Sequence, residues 1–190
     1  MCTICVKNKG VEMPTERELR LAYEHNPHGC GFVSSNGLFW RGMDFEEFLQ
    51  RIKGVSTNDA CIIHFRIATH GSIGVKNCHP FVGMCDGEKV YFAHNGILPI
   101  RARTDMTDSE TEFRNVLLPA IETFGYRSEI FAQVVARRIY SSKFAFMKGG
   151  VIRVFGRWIR EDNGLLWSNL NHRTCGYFSP IYDHCRVIYV

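Results

Sequence analysis

The sequence predicts a layered α+β domain, and three observations carry that expectation. Helical patterns over residues 109–124 and 129–140 form a hairpin-like pair with strand-like runs on both sides. Asn36-Gly37 and Gly149-Gly150 sit between such runs and make neighbouring strands antiparallel. Hydrophobic residues make up 45% and charged residues 22% of the 190, a balance that supports a packed core. The length suits one domain over residues 1–190.

The elements follow in order. Residues 2–6 are β-prone and end at the polar stretch 7–10, which reads as a strand. Residues 15–24 place Leu19, Ala22 and Tyr23 at helical spacing behind a Thr15-x-x-Glu18 capping box. Residues 31–34 and 38–41 flank Asn36-Gly37 as a hairpin. Asp44 caps a helix over 45–52, with Glu47 placed to complete a second capping box. Residues 60–67 and 89–93 read as buried strands, separated by a polar, glycine-rich segment over 70–87. In the helical stretch 109–124, Pro119 is expected to kink or end the helix. Ile130, Val134, Val135 and Ile139 pattern the next helix. Residues 144–147 and 151–155 form a hairpin, and 165–167 and 186–190 add strands.

Composition excludes several function classes. The net charge of +4 is mild, and Arg101/Arg103 and Arg137/Arg138 are short clusters without interleaved aromatics, so nucleic acid is not expected as a partner. No apolar run approaches the ~18–20 residues of a membrane span, and no secretory signal pattern opens the chain. A cytoplasmic location follows as the expectation, with the eight cysteines reduced rather than paired.

Cys2 is the most informative residue. Removal of Met1 would put a thiol nucleophile and an α-amine base in one residue. Such an amine titrates near ~7.7–8.0, against ~10.4 for lysine, so it can accept the thiol proton at cellular pH. Four later segments bear on it: residues 64–71 (H-F-R-I-A-T-H-G), 77–81 (N-C-H-P-F), 92–98 (F-A-H-N-G-I-L) and 107–110 (T-D-S-E). An amide-cleaving thiol needs donors for a tetrahedral oxyanion, and Asn95 beside the Gly96 N–H can supply two. The Arg66 guanidinium suits a carboxylate and the Asp108 carboxylate an ammonium. Together they fit the zwitterionic end of a free amino acid, leaving a glutamine side-chain amide for Cys2. Each segment also has a plain reading: Asn-Gly as a turn, Asp108-Ser109 as a helix cap, Arg66 as a surface ion-pair partner.

In order and type, these segments resemble the class II glutamine amidotransferase domains of the N-terminal-nucleophile hydrolase superfamily, in the stand-alone, single-domain form. That family's pattern is an N-terminal Cys, H-x-R-x-A-T-H-G, N-x-H-P-F, H-N-G-x-[IL] and D-[ST]-E. The match is close over about the first 110 residues. Residues 26–32 also resemble an early family turn, and 164–169 a late strand. The resemblance implies a four-layer αββα sandwich of two antiparallel sheets between helix layers. It implies Cys2 as nucleophile with its own amine as base, Asn95 and Gly96 as oxyanion hole, and Arg66 and Asp108 on the substrate's amino-acid end. Thr69 and His70 would line the glutamine pocket. Glutamine would be hydrolysed through a thioester to glutamate and ammonia, without cofactor or metal, and a separate subunit could accept the ammonia. Two positions depart from the pattern: Thr3 follows the nucleophile where many members carry Gly, and His28 stands where many carry an acid.

Three rival readings remain at this level. Cys2-x-x-Cys5 is also a redox or half-zinc signature, with Cys175, His184 and Cys185 as the distant candidates for its second half. A domain of the same fold could bind glutamine or a partner without catalysis. A third option keeps the mechanism and takes another γ-glutamyl amide.

Overall fold

The computed structural model describes residues 1–68, 72–100, 106–173 and, as backbone, 185–189. Thr69, His70, Arg101, Arg103, Cys175 and His184 therefore lie outside the described residues. In β1 (Thr3–Lys7), Ile4 and Val6 enter one core and Cys5 another, because side chains alternate across a strand. β4 (Cys61–Phe65) pairs antiparallel with β1 and splits the same way: Ile62 to the first core, Cys61, Ile63 and Phe65 to the second. With β2 (Cys30–Ser34), β3 (Phe39–Gly42), β9 (Arg157–Glu161), β10 (Leu166–Trp167) and β11 (Cys185–Tyr189), these strands form one sheet. Its order is β11-β9-β10-β1-β4-β2-β3.

A second antiparallel sheet runs β5-β6-β7-β8, from β5 (Phe81–Cys85), β6 (Glu88–Asn95), β7 (Lys143–Lys148) and β8 (Val151–Phe155). The sheets meet over Ile4, Val6, Ile62, Ala93, Ala145, Met147 and Trp158. Helices α1 (Glu16–Glu24) and α2 (Phe45–Ile52) cover the outer face of the first sheet through Leu19, Ala22, Phe45 and Phe48. The outer face of the second sheet carries α3 (Asp108–Glu112), α4 (Leu118–Phe124) and α5 (Glu129–Arg138), through Phe113, Leu117, Ile121, Phe131 and Val135. The expected αββα sandwich is thus the observed one.

Local chemistry explains most boundaries. Thr15 and Glu18 exchange both bonds of the capping box. Asp44 accepts the Glu47 N–H, but Glu47 does not return the bond. Its carboxylate is taken by Trp40 Nε1 and Arg51, so this is a simple cap. The helical stretch does not stop at Pro119: a π-helical turn over Phe113–Leu117 precedes the proline, which sits in the first turn of α4, and α4 continues to Phe124. A widened turn makes room for a ring that otherwise collides with the carbonyl four residues back.

Two strands escaped the sequence pattern. β5 lies inside the segment read as polar and glycine-rich, joined to β6 through Asp86-Gly87, both at positive φ (52° and 74°). That Asp-Gly pair is itself a two-residue hairpin signal. β9 is masked by its charges, Arg157, Arg160 and Glu161 around a buried Trp158. β4 also ends two residues early, because the Ile67 N–H donates to Cys2 Sγ instead of continuing a ladder.

One close approach positions the site. At Gly31 on β2 a Cβ would meet the His79 carbonyl oxygen and the Trp40 oxygen, so the segment before β5 lies directly on this strand. Gly31→Ala is expected to destabilise the fold by about 2 kcal/mol through overpacking, read from the urea midpoint.

Candidate active site

The strand ends at one edge of the sandwich bring Cys2, Arg66, Ile67, Ala68, Asn77, His79, His94, Gly96, Thr107, Asp108 and Ser109 around one cleft. Its enclosed volume is about 30 Å³. Cys2 shares the inter-sheet side of β1 with Ile4 and Val6, while Cys5 is fully buried among the helix-side residues. The C-x-x-C pair therefore splits across the sheet. Cys2, Cys5, Cys30, Cys61, Cys78 and Cys85 are free thiols, and no group of three or more metal-binding side chains occurs among the described residues.

The Cys2 thiol sits against the peptide of residue 67. The Ile67 N–H donates to Sγ at 3.4 Å, and Sγ lies 3.5 Å from the Ile67 carbonyl oxygen. Burial raises the thiol pKa above its ordinary value, opposed by the Ile67 bond and by the positive charges of the chain terminus and Arg66. Arg66 is buried, its N–H donating to Gly29 O and its carbonyl accepting from His28 N–H. The His28 ring adds a second tie, Nδ1 accepting from Ala68 N–H at 3.0 Å. His28 thus shapes the loop after β4 through hydrogen bonds rather than through a charge. Thr3 points away from the cleft, where Asn26 Nδ2 donates to its hydroxyl and the hydroxyl donates to Asn169 Oδ1, each at 2.9 Å. Its extra bulk relative to glycine is absorbed on the helix side and does not narrow the approach to the thiol.

β6 delivers Asn95 and Gly96. Asn95 is fully buried, its Nδ2 donating to Ser168 Oγ at 2.8 Å, and its Oδ1 has no hydrogen-bond partner among the described residues. Gly96 has φ of 148°, and a Cβ there would strike Ser142, so no other residue fits this turn. Asp108 opens α3 one residue after the true N-cap, Thr107, whose hydroxyl accepts from Glu110 N–H. Its carboxylate accepts from Leu98 N–H at 3.0 Å, Ser109 N–H at 2.8 Å and the Ser109 hydroxyl at 3.2 Å. A carboxylate offers about four acceptor positions, and three are used by these bonds.

His79 and His94 line the cleft, and His64 lies buried behind them. His64 Nε2 lies 3.2 Å from His94 O and 2.8 Å from His79 Nδ1. A carbonyl only accepts, which assigns the proton to His64 Nε2 and leaves His79 Nδ1 an acceptor. His94 Nδ1 lies 2.7 Å from Ser109 Oγ, which also lies 3.2 Å from Asp108 Oδ1. Burial lowers the pKa of all three: His64 to about 3 and His79 well below its ordinary value, each helped by neighbouring imidazoles and Arg66, and His94 to about 4, where Asp108 opposes the shift and Lys143 adds to it. The three imidazoles are neutral at any physiological pH.

The sequence reading missed Ser168 and Asn169 as site neighbours. Asn169 Nδ2 donates to Cys2 O at 2.7 Å, and Ser168 Oγ accepts from Ile4 N–H at 2.8 Å. Residues 164–169 stood out as a late family strand, but nothing in their local pattern gives the contacts with residues 2–4.

Comparisons with known proteins bear on the family and the fold. Residues 44–138, half of the chain, match the family model for class-II glutamine amidotransferases. The glutamine phosphoribosylpyrophosphate amidotransferase from B. subtilis, complexed with ADP and GMP, aligns with a TM-score of 0.61 at 17% identity, over 88% of this chain and 42% of that one. A structure described as the allosteric regulatory enzyme of purine biosynthesis gives 0.56 at 17% identity, over 88% and 41%. A predicted glutamine amidotransferase from Pseudomonas aeruginosa PA01 gives 0.50 at 16% identity, over 98% and 89%. At these identities the likeness is one of fold, and the chain spans about two fifths of the first two structures. No curated protein sequence matches it. Among the described residues no helix is long and apolar enough to cross a membrane.

Proposed function

The chain belongs to the class II glutamine amidotransferase family, and from that premise we propose that it hydrolyses the side-chain amide of glutamine through Cys2. One observation carries the reading: Cys2, Arg66, Gly96 and Asp108, from four separate elements, line one cleft. Removal of Met1 frees the Cys2 α-amine, which takes the thiol proton. The sulfur attacks the glutamine Cδ. The oxygen of that carbon becomes an oxyanion facing the Gly96 N–H and the second Asn95 Nδ2 hydrogen, the first being held by Ser168. Each such donor is typically worth on the order of 10²–10³ in rate. Collapse breaks the C–N bond. The amine's proton leaves with the nitrogen as ammonia, and a γ-glutamyl thioester remains on Cys2. Water then attacks the thioester, releasing glutamate and restoring the thiol.

Arg66 holds the substrate α-carboxylate and Asp108 its α-ammonium in this scheme. Thr69 and His70, outside the described residues, are assigned to substrate binding by the family resemblance alone. The ammonia passes to a separate acceptor subunit or is released. Arg66 and Asp108 read only the amino-acid end, so a panel of γ-glutamyl amides, with ammonia and amine release measured, defines the substrate.

Intact mass after treatment with diazo-oxo-norleucine, a glutamine-mimic electrophile, tests the scheme in one measurement. The expected product lacks Met1 and carries one adduct, on Cys2. Met1 retained on active protein, or an adduct on any other cysteine, contradicts it.

A further inference from the structure

We propose that Ser168 and Asn169 are positioning residues that hold the Cys2 strand against Asn95 across the two sheets. The proposal rests on the roles given above to Cys2 and Asn95, and it adds what sets their separation. β10 pairs with β1 only at Cys5 and Val6. Beyond that point the backbone contact is a single bond, Ser168 N–H to Ile4 O at 2.9 Å. Side chains do the rest. Ser168 Oγ accepts the Ile4 N–H and the Asn95 Nδ2–H, each at 2.8 Å. Asn169 donates to Cys2 O at 2.7 Å and accepts the Thr3 hydroxyl at 2.9 Å. Residues 2, 3 and 4 are thus each gripped by one of two adjacent side chains.

A further main-chain ladder would hold β1 equally well, but it would not reach the other sheet. The Ser168 hydroxyl does: one oxygen receives a donor from β1, in the first sheet, and from β6, in the second. A hydroxyl has two acceptor positions, and both are filled. The residue is only 4% exposed, which leaves water little chance to replace it. The segment itself is anchored. Trp167 Nε1 donates to Glu161 at 3.2 Å, His172 Nε2 lies 2.8 Å from Glu161, Arg173 donates to it at 2.6 Å, and the Trp167 and His172 rings stack at 3.8 Å. Burial alone would raise the Glu161 pKa, but the His172 and Arg173 bonds bring it down to about 2, so the anchor stays charged at neutral pH. A donor displaced by about 1 Å from a developing charge costs on the order of 10² in rate, which is the scale this clamp controls.

The test compares Ser168→Ala with wild type in glutamine hydrolysis and in binding of the γ-aldehyde analogue of glutamine, which forms a tetrahedral thiohemiacetal with the thiol. Ser168→Ala is expected to lower kcat about tenfold to a hundredfold with KM within about threefold, and to weaken the aldehyde by a similar factor while glutamate affinity holds. Ser168→Thr, which keeps the oxygen, should recover most of the rate. A folded Ser168→Ala protein with kcat within twofold of wild type overturns the proposal. So does a loss shared equally by kcat, glutamate binding and thermal stability, which marks a merely structural serine. If Ser168→Ala does not fold, Ser168→Cys keeps the volume with a weaker acceptor; an intermediate kcat supports the clamp and an unchanged one overturns it. Wild-type protein that neither hydrolyses glutamine nor binds the aldehyde removes the underlying reading itself, a result visible before any variant is made.

Discussion

Inserting a lysine between Met1 and Cys2 is expected to abolish glutaminase activity while leaving the thiol reactive toward iodoacetamide. Cys2→Ala is expected to do the same without the reactivity. In both, kcat should fall by at least about 10⁴, or ~5.5 kcal/mol of barrier. The alanine variant removes the nucleophile; the insertion removes only the base. That base is needed because burial raises the thiol pKa and keeps it protonated at neutral pH. The neighbouring imidazoles are poor substitutes. Burial brings His64 to about 3 and His94 to about 4, roughly five and four units below a free α-amine at ~7.7–8.0, and general-base catalysis favours a pKa near the working pH. The described hydrogen-bond contacts of the sulfur are both on the Ile67 backbone rather than on any ring. Ammonia release and alkylation, measured on the same samples, separate the two outcomes. Full activity in the lysine insertion, with the lysine and Met1 seen by mass, would sink the amine-base mechanism.

The second large effect is on stability in acid. Unfolded histidines titrate near 6.5, whereas native His64 and His94 hold out to about 3 and 4, and His79 is also strongly depressed. Their contribution is fully present above pH 6.5. As pH falls through 6.5 toward 4, the unfolded chain takes up protons that the folded chain refuses, and stability drops. Each histidine supplies about 1.4 kcal/mol per pH unit over that range. Glu161, with its native value near 2 and an unfolded value near 4.5, adds its own loss only at lower pH. The interval from pH 6 to 5 therefore isolates the histidines. Urea midpoints should fall steeply there, and His79→Gln should flatten the slope by about 1.4 kcal/mol per unit whatever its effect at pH 7. A profile that is flat from pH 7 to 5 contradicts the neutral cluster.

Much of the fold was legible in the sequence because its signals are local. Thr15 and Glu18 are three residues apart, and Gly149-Gly150 makes its two-residue turn, φ 55° and 72°, with no outside help. The residues proposed for chemistry were legible for a similar reason: an oxyanion needs an amide beside a glycine, and a carboxylate needs a guanidinium, wherever the fold places them. Errors came where a longer-range force overrode the local one. The polar look of residues 70–87 hid β5, whose strand is made by pairing with β6. The end of β4 is decided by a thiol 65 residues away.

Cys2, Arg66, Gly96 and Asp108 could be picked out from residue type and order alone, whereas the presence of Asn77, His79 and Thr107 in the same cleft could not. Tertiary structure alone decided how those groups behave. It turned Thr3 away from the nucleophile, put the three imidazoles in a dry interior that keeps them neutral, and brought Ser168 and Asn169 onto residues 2–4 across more than 160 positions of chain. The physical reason is the range of the interactions. Turns and caps are settled within a few residues, whereas desolvation, tautomer and clamp exist only after two sheets have closed on each other.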